Sequence, residues 1–222
     1  MTFPGRTLRL AHRGDWRVAP ENTIPAFLAA LRIPGCDGLE FDVHNSLDRQ
    51  AVLLHDDDLD RVQGVRVNCH DLTVAELDDL GVPTLAKMLD AVGTAPFLDV
   101  ELKEWVPDAI TVLEMARGKA LNRAVISCFE DDVLTEMGRA RPAWPTWLNS
   151  ETLDSTVVRR AVDLKCRGIS AEWRSLSQPM VREVREAGLD LATWTVRRRP
   201  TYRRLERLGV VAICAEAAAL DG

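Results

Sequence analysis

The chain has 222 residues, of which 46% are hydrophobic and 28% charged, a balance that supports a packed core and excludes a disordered or collagen-like chain. Its 28 Lys and Arg against 34 Asp and Glu give a formal net charge of −6, which argues against a nucleic-acid partner but leaves room for a small anionic substrate in a local pocket. No apolar run reaches the roughly 18 residues that a membrane-spanning helix needs.

Strand-like runs alternate with helical patterns from end to end. The runs are 8–12, 39–43, 51–55, 97–102 and 124–129, then the weaker 146–148, 168–171, 190–196 and 210–214. Between them, Thr73 and Glu76 form a capping box. Thr84 caps a helix carrying Leu85, Met88, Leu89 and Val92, with Gly93 beyond it. Pro107 opens a helix with Ile110, Leu113 and Ala116. Ser177 and Pro179 open one with Met180, Val184 and Ala187, closed by Gly188. Pro200 opens another with Leu205 and Leu208, closed by Gly209.

This alternation points to a parallel sheet with helices outside. The expected fold is α/β, a single (β/α)8 TIM-type barrel, regular or distorted, with an open doubly wound sheet as the alternative. The whole chain, 1–222, is expected to be one domain. Nine runs are one too many for the barrel. The runs 39–43 and 51–55 are too close for a crossover helix, so they form either a hairpin near Asp48 and Arg49 or two barrel strands.

The cysteines at 36, 69, 128, 166 and 214 are odd in number and widely spaced, which fits reduced thiols. The opening Met-Thr-Phe-Pro-Gly-Arg-Thr has no apolar signal core, so the expected location is the cytoplasm. The acidic stretch 56–60 lacks the glycine and the glutamate of a calcium loop, at Arg61 and Val67.

The candidate chemistry lies in polar residues on strands. Glu40 and Asp42 share one face of their strand, since side chains alternate. A divalent cation relieves their repulsion, and oxygen-only ligation favours Mg²⁺, Ca²⁺ or Mn²⁺. An exposed polar strand face would explain the pair as well. Asp99, Glu101 and Lys103 repeat the pattern, with Glu101 a possible third ligand and Lys103 a partner for phosphate or for Glu101. His12 and His55 each end an apolar run and suit acid–base work on a phosphodiester. His44, assigned to the face opposite Glu40 and Asp42, and His70, ahead of the capping box, are expected to be structural.

Ala11-His12-Arg13-Gly14, Pro20-Glu21-Asn22-Thr23, Glu40-Phe41-Asp42-Val43 and His55-Asp56-Asp57 together resemble the glycerophosphodiester phosphodiesterase family. Leu59-Asp60-Arg61, Pro83-Thr84-Leu85, Val100-Glu101-Leu102-Lys103, Ser127-Cys128-Phe129 and Trp194-Thr195-Val196 continue the match in order. The resemblance implies a phosphatidylinositol-phospholipase-C-like barrel without a large inserted subdomain. It also implies metal-dependent hydrolysis of glycerophosphodiesters to glycerol 3-phosphate and an alcohol. His12 and His55 then look like the acid–base pair, and Glu40, Asp42 and Glu101 like the ligands of one Mg²⁺ or Ca²⁺ (or Mn²⁺). Arg13 and Lys103 look like phosphate contacts, and Phe129 and Trp194 like pocket walls. Glu21 and Asn22 match but look structural, with Asn22 or Thr23 capping the next helix. The sequence departs from the family at Arg197 and Glu216, which puts the substrate rim in question. Arg197 either meets a second anionic group or lies in solvent. The alternatives are a lysophospholipase D acting on acylated substrates and a non-catalytic phosphodiester-binding barrel.

Overall fold

The computed structural model describes residues 5–222. Strand β1 (Leu8–His12) leads to helix α1 (Ile24–Leu31), which Thr23 caps and Pro25 starts. Strand β2 (Gly38–Asn45) turns back into β3 (Ala51–Leu53), and the two pair antiparallel with His44 opposite Val52. The extra predicted strand is therefore the return arm of a hairpin.

A compact excursion follows. It comprises β4 (Asp58–Leu59), the one-turn α2 (Asp60–Gln63), β5 (Val65–Asn68), a 3-10 turn over Cys69–Asp71, and α3 (Val74–Asp79) with its capping box. Val52, Leu54, Leu59, Cys69, Leu77 and Val82 form its own small core. Helix α4 (Leu85–Val92), capped by Thr84, returns the chain to β6 (Phe97–Leu102).

Regular strand–helix units complete the chain. These are α5 (Pro107–Arg117), β7 (Ala124–Cys128), α6 (Asp131–Ala140), β8 (Thr146–Ser150) and α7 (Ser155–Asp163). Then come β9 (Gly168–Glu172), α8 (Gln178–Glu186), β10 (Asp190–Val196), α9 (Arg199–Leu208), β11 (Ala212–Ala215) and α10 (Ala217–Leu220). Helices α6 and α7 go unmarked in the sequence reading, although Asp154 caps α7 by accepting from the Thr156 and Val157 amides.

Eight parallel strands run in the order β1-β11-β10-β9-β8-β7-β6-β2, and pairing of β1 with β2, His12 beside Glu40, closes the ring. This is the expected (β/α)8 barrel, and the closing pair rules out the open sheet. Outward-facing Leu39, Phe41, Leu98, Val100, Ile126, Leu148, Ile169 and Ile213 join the helices in one continuous core. The inward face changes character along each strand. At the base, Leu8, Leu10, Phe97, Val125, Trp147, Ala192 and Ala212 form an apolar plug. One or two positions further along the same faces stand His12, Glu40, Asp99, Ser127, Asn149 and Ser170. The period of two carries each strand from packing into chemistry at its carboxyl end.

The plug depends on a small residue beside a large one. Trp147 stacks on Phe97 with ring centroids 6.3 Å apart. A Cβ on Gly168 would lie 2.5 Å from the Asp190 carbonyl oxygen and 2.9 Å from Trp147 Cδ1. Neither neighbour can retreat without breaking the β9–β10 pairing or the stack, so Gly168→Ala is expected to cost about 1–3 kcal/mol of stability. Urea unfolding of the variant, followed by circular dichroism, measures the loss; an unchanged midpoint contradicts the packing described.

Candidate active site

The carboxyl ends of the strands surround a cavity of about 380 Å³. His12, Arg13, Glu40, His55, Glu101, Lys103, Phe129 and Trp194 all line it. Asp42, the remaining predicted site residue, is fully buried beneath them.

Three acids occupy the floor. In the β2–β6 register Asp42 stands beside Glu101 and Glu40 beside Asp99. Carboxylate oxygens of Glu40, Asp42 and Glu101 lie within 4.8 Å of one another. Burial, together with the charges of Asp42 and Glu101, pushes the Glu40 carboxyl well above its ordinary range. Burial likewise raises Asp99 to about 7, helped by Glu101 and Asp42. Asp42 goes the other way: against the cost of burial, Lys103 and Arg13 hold it ionised. Its Oδ2 accepts from Asn22 Nδ2 at 2.9 Å and lies 3.1 Å from Arg13 Nε, while Oδ1 is 2.9 Å from Lys103 Nζ. Lys103 also donates to Glu101. Thus Arg13 and Lys103, read from the sequence as phosphate contacts, are held by acids of the floor while each still reaches the cavity wall.

Two bases against three carboxylates leave the floor short of positive charge. Glu40 Oε2 is buried with no hydrogen-bond partner. Such an oxygen is costly unless a cation meets it. The all-oxygen donor set fits a hard divalent ion.

Both histidines line the cavity, and each is oriented by a carboxylate. His12 Nδ1 donates to Glu216 Oε1 at 2.5 Å, which leaves Nε2 facing Thr195 Oγ1 at 3.4 Å and Glu40 Oε2 at 3.8 Å. His55 Nδ1 donates to Asp56 Oδ1 at 2.6 Å. In both rings the hydrogen bond fixes the tautomer and leaves Nε2 for substrate. Burial lowers the His55 pKa against the opposing pull of Asp42. Glu216, despite burial, is held ionised at about 2 by His12 and by Arg197, whose Nε donates to Oε2 at 2.7 Å. The departures at Arg197 and Glu216 are thus one connected feature that holds His12, and Arg197 is engaged within the chain.

The turn after β1 explains two of the motifs. Arg13 and Asn22 are left-handed, at φ 58° and 57°, and their backbones are joined by an Asn22 N–H to Arg13 carbonyl bond of 3.0 Å. Asparagine tolerates that conformation well. Gly14, at φ 86°, brings the loop so close that a Cβ would lie 2.7 Å from the Ala26 carbonyl carbon. Thr23 is the cap of α1, whereas Asn22 reaches the floor. Glu21 joins Arg13 at 3.0 Å to Arg61 at 2.7 Å, and Arg61 Nε donates to Asp56 at 2.5 Å. A chain of ion pairs therefore runs from Asp42 to His55.

Sequence reasoning missed Glu216, Asp56 and Asn22 as parts of the site. Glu216 follows Ala212 and Cys214 on the inward parity of β11, which is the signal that could have found it. The same parity corrects His44: at two residues beyond Asp42 it continues the Glu40–Asp42 face, and at that height β2 has entered the hairpin with β3. Phe129 and Trp194 stand edge to face at 5.8 Å and wall the cavity.

The model of the glycerophosphoryl diester phosphodiesterase family matches residues 12–219. A glycerophosphodiester phosphodiesterase of Caldanaerobacter subterraneus subsp. tengcongensis is 26% identical, over 95% of this chain and 94% of that protein. The glycerophosphodiester phosphodiesterase structure from Thermotoga maritima superposes with a TM-score of 0.81 at 25% identity, covering 97% of this chain and 96% of that one. An Oleispira antarctica phosphodiesterase, solved with the product sn-glycerol-3-phosphate, superposes with a TM-score of 0.85 at 23% identity, over 95% of this chain and 93% of that one. The family match spans the barrel from the histidine that ends β1 to α10, and the chain belongs to the glycerophosphoryl diester phosphodiesterase family and is an enzyme of that class.

Proposed function

We propose that the chain, as a single barrel domain, hydrolyses small glycerophosphodiesters to sn-glycerol 3-phosphate and an alcohol at one divalent cation, with His12 and His55 as the acid–base pair. The observation that carries this reading is the placing of two carboxylate-oriented imidazoles in one cavity whose floor holds three close carboxylates. Glu40, Asp42 and Glu101 would hold Mg²⁺ or Ca²⁺, with Mn²⁺ also suited to the oxygen set. Bound there, the cation supplies charge to a phosphoryl oxygen and acidity to a coordinated hydroxyl.

The chain's own groups do the rest. Arg13 and Lys103 face the cavity and meet the phosphate charge. One imidazole Nε2 takes the proton of the attacking hydroxyl or water, and the other gives a proton to the departing alkoxide. Glu216 and Asp56 hold the two rings in the tautomer that each task needs. Phe129 and Trp194 pack against the glycerol carbons and keep water from that side. No described helix is long and apolar enough to cross a membrane. The five free cysteines fit the reducing cytoplasm, where we place the activity.

His12→Ala and His55→Ala are each expected to lower kcat by roughly 10²–10⁴-fold in a protein that still folds. Steady-state kinetics beside circular dichroism reads this, and near-wild-type turnover in either folded variant refutes the assignment. Metal-stripped protein is expected to release glycerol 3-phosphate from glycerophosphocholine or glycerophosphoethanolamine only when Mg²⁺, Ca²⁺ or Mn²⁺ is restored. Release only from acylated substrates would instead make the chain a lysophospholipase D, and tight binding without turnover would make it a binding barrel.

A further inference from the structure

A second group of metal-ligating side chains lies outside the catalytic cavity, where β2, the 3-10 turn and the loop after β6 converge. Donor atoms of His44, Cys69 and His70 lie within 4.8 Å of one another. Glu104 Oε1 is 3.7 Å from His44 Nδ1 and 3.4 Å from His70 Nε2. A tetrahedral ion with bonds of about 2.1 Å separates its nitrogen and oxygen ligands by about 3.4 Å, so these gaps fit a shared ion better than direct contacts.

The bonding of His44 points the same way. Its side chain is 3% exposed, and Nδ1 is buried with no hydrogen-bond partner. Its other nitrogen, Nε2, lies 3.3 Å from the His55 carbonyl oxygen and donates to it. That bond fixes the tautomer and turns an unshared Nδ1 lone pair toward the Glu104 carboxylate. Two electron-rich atoms facing each other at 3.7 Å, one of them on a buried ring, need a positive charge between them. An imidazole anchored through its second nitrogen to a backbone carbonyl is the usual outer arrangement of a metal-bound histidine. Glu104 is anchored as well, since Oε1 accepts the Asn45 amide at 3.0 Å. Cys69 is fully buried, whereas the His70 side chain is 43% exposed and gives an ion a way in from solvent.

We propose that His44 Nδ1, Cys69 Sγ, His70 Nε2 and Glu104 bind one zinc ion, distinct from the hard cation of the oxygen floor. A thiolate and two imidazoles select zinc over Mg²⁺ or Ca²⁺, and four protein ligands close the coordination shell, as in a structural site. Binding forms the Zn–S bond as the Cys69 thiol proton leaves to solvent, with no redox change. The ion clamps the end of β2 and the 3-10 turn of the excursion to the loop that follows Lys103, directly behind the His55 carbonyl.

Cobalt(II) is the probe, added to metal-stripped full-length protein in excess Mg²⁺. One equivalent is expected to give a thiolate-to-cobalt charge-transfer band with intense tetrahedral visible bands, and one equivalent of Zn²⁺ is expected to displace it. Cys36→Ser should leave the spectrum intact, and Cys69→Ser should abolish the charge-transfer band. His70→Ala changes a half-exposed position, so it tests the site even if Cys69→Ser does not fold. It should weaken zinc, measured by chelator competition, by more than the roughly 10–100-fold that loss of an outer partner costs. No thiolate band in the wild-type protein, a band that survives in Cys69→Ser, or unchanged zinc affinity in His70→Ala overturns the site.

Discussion

The architecture of the barrel mouth answers one electrostatic constraint: three carboxylates whose oxygens lie within 4.8 Å, buried at the centre of a closed sheet. Each buried charge left unpaired costs several kcal/mol. The surrounding residues divide that cost. Lys103 bridges Asp42 and Glu101, Arg13 and Asn22 cover the second oxygen of Asp42, and Arg13 is held in turn by Glu21. What they leave uncovered is Glu40 Oε2, on the side toward His12. The imbalance therefore falls on Glu40 and on its neighbour Asp99, whose Oδ1 also lacks a partner, and both line the cavity.

The same constraint accounts for the turn after β1. To bring Arg13 and Asn22 onto Asp42 the chain passes through two left-handed residues and presses Gly14 against the backbone of α1. Local conformational cost of about 1–3 kcal/mol per residue is sustained at functional sites when the surrounding contacts fix it. Here those contacts are the Arg13 amide to the Glu40 carbonyl at 2.9 Å and the Asn22 amide to Arg13 at 3.0 Å. From Glu21 the ion pairs continue through Arg61 to Asp56, so the loop that carries His55 is tied through Arg13 to Asp42 of the acidic floor.

Much of this is legible in the sequence alone. Periods of two and of 3.6, with Thr73, Thr84, Pro107 and Pro200 marking helix starts, give the barrel and most of its boundaries. The acids at 40, 42 and 101 follow from strand parity, and their meeting follows from β2 and β6 being neighbours in the sheet. Partners brought together by ring closure were not legible. Glu216 is 204 residues from His12, and only the pairing of β11 with β1 sets them side by side. His44, Cys69, His70 and Glu104 lie on three separate segments, and no ligand spacing along the chain announces them. The hairpin of β2 and β3 was open in the sequence because seven residues fit either a tight return or a descent. The antiparallel register settles it.

The central claim is that the uncompensated charge of Glu40, Asp42 and Glu101 holds one hard divalent cation. Calorimetric titration of metal-stripped wild-type protein and of Glu40→Ala with Mg²⁺ and Ca²⁺ tests it most directly. One site in the wild-type protein that is lost in the folded variant is the expected result. Equal affinity in the two proteins would contradict the claim and place the cation elsewhere.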